Sequence, residues 1–313
     1  MLRFATLVRH PRKLYRMTGL TLDQFQTLTQ RLTPLWEHAE RTRLSQRTRR
    51  HALGQGTTYK LATLADKLLC LLMFYRFYLT DELLGWLFGL DASNACRLQQ
   101  RLEPLLERAA DPTLGLSLRR RLPPGVKKIG TVEELLKVCP EFAEVLVDAT
   151  EQSRQRPPRR TQRRWYSGKK KRHTIKPQLT VSRQSSRILH VTAAVPGRLH
   201  DYRLFQREGT AEHVPRAAPH YVDLGYEGAP SDYPDCRGIV PVKRRRNHRV
   251  LTRAERRFNR AQARRRILVE HVLSRLKKSQ VLAQVYRHHI ADYNRRFRNI
   301  AALANFRLAP TMV

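Results

Sequence analysis

Three acidic residues stand where their chemistry could matter. Asp148 closes the apolar run VLVD, Asp223 closes HYVD, and Glu270 lies inside the helical pattern RRRILVEHVLSRLKK. In an open α/β sheet, ligand chemistry gathers just beyond strand ends, and two carboxylates delivered there could share a metal ion. The local alternative is that each aspartate begins a turn, a role this residue prefers. Arg266 precedes Glu270 by four residues and Lys277 follows it by seven, so at about 3.6 residues per turn the three share one helix face. That stripe suits a site where the acid holds a metal and the cations hold phosphates. It equally suits a surface ion pair between Arg266 and Glu270, common and energetically small.

Placing such acids takes a sheet. EVLVDAT, the run around HTIKPQLTV, and ILHVTAAV are short, rich in Val, Ile and Thr, and bounded by turn residues, which predicts three successive strands. PGRLHDYRLFQREG predicts a helix, with Asp201 as its cap. APHYVDLGYEG and RGIVPVK predict two more strands, and two long helical patterns follow, the first carrying Glu270. This order describes an α/β domain, a mixed sheet covered by helices.

Residues 20–110 read as helical. LTLDQFQTLTQRLTPLW predicts an amphipathic helix starting near Thr21 and Asp23 and closed by Pro34, and 41–60, with Gly54 and Gly56, predicts an exposed connector. LATLADKLLCLLMFYRFY, TDELLGWLF and SNACRLQQRLEPLLER predict three close helices, with Thr80 and Ser93 as caps of the second and third. Their lengths suit a helix-turn-helix, which would offer Asn94, Arg97, Gln99, Gln100 and Arg101 to DNA, and they also suit a plain helical bundle. The expected organisation is a helical segment and basic connector over 1–57, the helix-turn-helix over 58–110, a connector over 111–143, and the sheet domain over 144–308.

Charge narrows the partner. Lys and Arg number 61 against 26 acids in 313 residues, a formal net charge of +35, which points to a polyanion, nucleic acid above all. The charge is spread along the chain and not gathered on one amphipathic helix, which argues against a membrane surface. The longest apolar stretch is broken by Asp66, Lys67 and Arg76, too polar for a membrane span. Cys70, Cys96, Cys139 and Cys236 show no metal-ligand spacing and read as buried thiols of a cytoplasmic protein. Behind Asp148 runs a basic field: Arg154, Arg156, Arg159, Arg160, Arg163, Arg164, Lys169, Lys170, Lys171 and Arg172 would neutralise backbone phosphates, giving salt-dependent affinity with little sequence information. Pro157 and Pro158 predict an extended loop; Trp165 is expected to pack, and Tyr166 to pack or to stack on a base. His173, His200, His248 and His271 receive no chemical role.

DATE, YSGKKKRHTIK, VPGRLHDYRLF, VDLGYEG and RRILVEHVLSRLK, in that order, resemble the signature blocks of DDE transposases of bacterial insertion sequences, in the Harbinger-related, insertion-sequence-five-like group. KLATLADKLLCLLMFYRFYLTDELLGWLFGL is similar to the helix-turn-helix of the same enzymes, so the resemblance covers most of 58–308. It implies a ribonuclease-H-like fold with Asp148, Asp223 and Glu270 as catalytic, metal-binding acids and Arg266 and Lys277 as cations on the DNA beside Arg97, Arg101 and the basic field. It implies two Mg²⁺ ions, with Mn²⁺ able to substitute, and double-stranded DNA as partner, both the terminal inverted repeats and the target. The implied reaction is hydrolysis at the element's ends followed by attack of the freed 3′-hydroxyl on target DNA, by a homodimer or larger assembly at the bacterial nucleoid. Some relatives carry Tyr seven residues before the glutamate, where this chain has Ala263. The rival expectations are a nuclease of the same fold without strand transfer, and a transposase-derived DNA-binding protein that no longer catalyses.

Overall fold

A computed structural model describes residues 1–45, 60–114, 131–213, 215, 218–234, 237–244 and 250–308. Packing divides the chain into two units, Met1–Pro112 with Lys278–Leu282 and Arg295–Val313, and Thr113–Lys277 with Ala283–Asn294.

The first unit is helical. Its N-terminal part holds α1 (Phe4–Leu7), α2 (Pro11–Thr18) and α3 (Leu22–Ser45). Thr21 and Gln24 cap α3 reciprocally, each side chain accepting from the other's backbone N–H at 3.2 Å. Pro34, expected to close this helix, lies inside it. It withholds a backbone donor, but both sides are tied down: Phe25, Leu28 and Leu32 are buried before it, and beyond it Trp36 and Glu40 hold Arg101 of the third helix that follows. Of the expected connector, 41–45 is the end of α3, and Gly54 and Gly56 lie outside the described residues.

Next come α4 (Leu64–Phe77), α5 (Asp81–Phe88) and α6 (Ala92–Ala110). Thr63 caps α4, accepting from Asp66 N at 3.1 Å and donating to the Asp66 carboxylate at 2.8 Å. Leu68 through Tyr75 are all buried, so the apolar stretch is the core helix of this unit. Among the described residues no helix is long and apolar enough to cross a membrane. Thr80 caps α5 as expected, while α6 starts at Asp91 rather than Ser93. The last helix, Ile290–Leu308, belongs to this unit from Arg295 onward. Glu103 of α6 is fully buried yet paired, accepting from Arg296 Nε at 2.7 Å and Arg295 Nε at 3.0 Å.

The second unit is built on a five-stranded sheet ordered β6-β5-β1-β8-β9. Its strands are β1 (Val145–Ala149), β5 (Gln178–Ser182), β6 (Ile188–Val191), β8 (His220–Tyr221) and β9 (Gly238–Ile239). β1 runs antiparallel to β5 and parallel to β8, so the sheet is mixed. A second sheet joins β2 (Gln152–Ser153), β3 (Tyr166–Ser167), β4 (Arg172–Lys176) and β7 (Val195–Pro196). The single strand expected around HTIKPQLTV is therefore two, β4 and β5, in different sheets. Pro177 separates them, because it has no N–H to continue a ladder. Asp201–Arg207 and Arg253–Lys277 are the helices that bear on the acids; Val147, Phe205, Val222 and Tyr226 share one buried apolar cluster beneath them. The α/β class with a helical N-terminal region is what the sequence predicts.

Candidate active site

Strand direction brings the two aspartates together. Leu146 pairs with Tyr221 across the parallel β1–β8 ladder, and Asp148 and Asp223 each lie two residues further on. Parallel neighbours in register deliver their carboxylates at the same end of the sheet. The helix Arg253–Lys277 packs against both strands, and Arg266 spans the two acids, its Nη1 3.3 Å from Asp223 Oδ1 and its Nη2 3.9 Å from Asp148 Oδ2. The cation four residues before Glu270 thus pairs with the sheet acids, not with Glu270.

The two aspartates differ in setting. Asp148 is largely buried, its Oδ1 accepting from Ala149 N at 2.9 Å. Burial pushes its carboxyl up to about 6, the Arg266 guanidinium and the Ala149 N–H oppose this, and Asp223 and Asp201 add to it. Asp223 is 43% exposed and accepts from Leu224 N at 2.6 Å. Glu270 is exposed, one turn beyond Arg266 on the same helix. Among the described residues no three His, Cys, Asp or Glu side chains are drawn close enough to hold a metal ion. The structure therefore joins Asp148 to Asp223 and leaves Glu270 outside their contacts. Further along that helix, burial and Lys170 push the Lys277 ammonium below its ordinary value, with Asp148 pulling the other way.

A second charged group adjoins the pair and was not singled out by sequence. Lys176, at the end of β4, is buried; its Nζ donates to Asp201 Oδ1 and to Leu199 O, each at 2.7 Å, and lies 3.5 Å from Glu151 Oε1. Thr174 donates to Glu151 Oε2 at 2.6 Å. Gly197 makes this approach feasible, since a Cβ there would stand 1.7 Å from Thr174 Oγ1. Asp201 is not the cap of its helix: His200 is, its Nδ1 accepting from Tyr202 N at 3.4 Å, while the Asp201 carboxylate is held by Lys176. The available signals were Glu151 in DATE and the His-Asp pair in VPGRLHDYRLF. Beneath the acids, burial raises the Tyr226 hydroxyl well above its ordinary value, and Asp201, Asp148 and Asp223 reinforce this.

The expected DNA-contacting residues fall into two groups. Arg159, Arg160, Arg163, Arg164, Lys169, Lys170, Lys171 and Arg172 are all exposed in the sheet unit. The segment after Pro158 is wound into a tight turn, Arg159–Thr161, and a short helix, Gln162–Trp165, where an extended loop is expected. Trp165 packs, with the Arg154 guanidinium 4.3 Å from its ring centre. In the helical unit Arg97 is exposed beside Asn94, its Nη1 3.2 Å from Asn94 Oδ1. Arg101 instead donates to Glu40 Oε1 at 3.0 Å and lies over Trp36, and Gln99 is buried, donating to Asp81 Oδ1 at 2.7 Å. Helical periodicity explains the split: Asn94, Arg97 and Gln100 share the outer face, and Gln99 faces inward. Cys70 and Cys139 are buried free thiols, Cys96 is half-buried, and Cys236 and His248 lie outside the described residues.

Two known family patterns match the chain. The pattern of the DDE superfamily endonucleases matches residues 147–305, and that of the helix-turn-helix of DDE superfamily endonucleases matches 59–112. The chain is 31% identical over 244 residues to a protein of Microchaete diplosiphon described as a probable transposase for insertion sequence element IS702, covering 78% of this chain and 80% of that one. No solved structure matches it. With the matched superfamily pattern spanning the strand of Asp148, the turn of Asp223 and the helix of Arg266 and Glu270, the chain belongs to the DDE superfamily endonucleases, the transposases of insertion sequences.

Proposed function

We propose that the chain binds the terminal inverted repeats of an insertion sequence, cleaves the DNA at the element's ends and joins the freed 3′-hydroxyls to target DNA. The observation that carries this reading is the convergence of Asp148 and Asp223 at one end of two parallel strands, bridged by Arg266. Carboxylate oxygens are the hard donors that Mg²⁺ or Mn²⁺ takes, and Asp148 and Asp223, presented together at one strand end, are donors of that kind. Asp148, Asp223 and Glu270 would hold two such ions. When bound, the ions supply an activated water and charge neutralisation at the scissile phosphate.

The chain's own residues do the rest. Arg266 orients both aspartates through one guanidinium and leaves a cation beside the phosphate they face. The exposed cations Arg159, Arg160, Arg163, Arg164, Lys169, Lys170, Lys171 and Arg172 hold the DNA backbone, with affinity that falls steeply with salt. Asn94, Arg97 and Gln100 are the side chains of the helix-turn-helix available to the inverted repeat. Residues 58–110 thus recognise the end and the sheet domain cuts it. Pairing two ends calls for a homodimer or larger assembly, acting at the nucleoid.

Asp148→Asn, Asp223→Asn and Glu270→Gln test the assignment with a labelled end-sequence duplex and a target plasmid in Mg²⁺. Each is expected to lower cleavage by at least about 100-fold, in line with losses of directly acting groups, and Glu270→Gln to do so without loss of stability, since its side chain is exposed. Full cleavage by Glu270→Gln would remove that residue from the site. Cleaved ends with no joined product would favour the nuclease without strand transfer.

A further inference from the structure

A concavity separate from the acids lies in the sheet unit. It is a groove of about 560 Å³ lined by Arg156, Arg163, Arg198, Tyr166, His173 and Gly168, and neither the aspartates nor Glu270 contribute to it. Three arginines line it and no carboxylate does, and Arg156 donates to Gln162 Oε1 at 3.1 Å. Like charges gathered in a hollow repel one another, and an anion seated among them relieves that repulsion. The wall is aromatic. Tyr166 is 42% exposed and stands edge-on to His173, ring centres 5.8 Å apart, and the two are paired across the β3–β4 ladder.

The groove is open to solvent, and its volume is that of sites holding one small molecule, roughly 300–1,000 Å³. A ring face beside arginines is how proteins hold a base and its phosphates when the base is free of its partner; in a duplex that face is hidden in the stack. We propose that this groove holds one unpaired nucleotide of a bound DNA strand, its base against Tyr166 and His173 and its phosphates on Arg156, Arg163 and Arg198. This rests on the reading that the chain acts on DNA. The exposed Lys169–Arg172 run adjoining the groove favours a nucleotide within a strand over a free one, because it offers neighbouring phosphates further cations.

Fluorescence anisotropy of the full chain at fixed salt tests this, comparing a fully paired duplex with one of matched charge carrying a single unpaired 2-aminopurine. The natural chain is expected to bind the second about tenfold more tightly, from the stacking of one base, and to quench its fluorescence. Tyr166→Ala and Gly168→Phe are each expected to erase the preference while leaving paired-duplex binding within about twofold; Gly168 lines the groove and an added Cβ there meets nothing within 4 Å, so the position admits a side chain without a clash at its first carbon. No preference in the natural chain, or a preference that survives both substitutions, overturns the proposal. Displacement by a free deoxynucleoside monophosphate as effective as that by an oligonucleotide overturns the strand as the source. Binding of paired DNA without discrimination removes the groove alone, whereas binding of neither DNA removes the DNA reading with it.

Discussion

Replacing Lys176 by Met keeps the stem and deletes a buried ammonium, which isolates its electrostatic role. In the folded chain that ammonium serves Asp201, Glu151 and the Leu199 carbonyl at once. The side chains of Lys176 and Glu151 are each 7% exposed, so solvent offers little substitute when the cation is gone. Removing one partner of such a buried pair costs about 3 to 5 kcal/mol, and an abandoned buried carbonyl about 1 to 3 kcal/mol. The two losses share one group and do not add, so about 4 kcal/mol is expected for Lys176→Met. The measurement is urea unfolding followed by Trp165 fluorescence in a Trp36→Phe, Trp86→Phe background, since Trp165 alone of the three lies in the sheet unit. Adding Glu151→Gln removes one stranded charge and is expected to return at least about 1 kcal/mol of that loss. A loss below about 1 kcal/mol for Lys176→Met, or strict additivity with Glu151→Gln, refutes the claim that this ammonium neutralises both acids.

Two further outcomes follow from buried groups and backbone. His220 in β8 is buried, and burial pushes its imidazole down to about 4 from an ordinary value of 6.5. The unfolded chain takes up that proton first as pH falls, so stability is full above about 6.5 and declines toward 4; between pH 7.5 and pH 5 the loss is about 2 kcal/mol, and His220→Leu should abolish that part of the acid sensitivity in urea unfolding. Pro34 lies mid-helix in α3 with no N–H to give, so Pro34→Ala is expected to stabilise the helical unit by about 1 to 3 kcal/mol, read from its thermal transition; an unchanged or lowered midpoint refutes it.

The order of elements, the alternation of apolar and polar residues, the caps at Thr21 and Thr80 and the basic character were all legible in the sequence, because each depends on residues close together along the chain. Asp148 and Asp223 were legible as acids ending strands, and the family blocks tied them to Glu270. Pro34 and the HTIKPQLTV run were misread because packing on both sides of Pro34 (Phe25, Leu28 and Leu32 before it, Trp36 and Glu40 on Arg101 after it) overrides a local break in one case, and Pro177 hands the chain from one sheet to another in the other. Only tertiary structure decided what the charges do. Arg266, four residues from Glu270, instead reaches two aspartates more than 40 residues away in sequence, Arg101 turns to Glu40, and Lys176 draws Glu151 and Asp201 together. Sequence spacing sets which side chains share a helix face or strand end; the partner of a long charged side chain is chosen by the lowest-cost neutralisation in three dimensions, where burial makes an unpaired charge expensive.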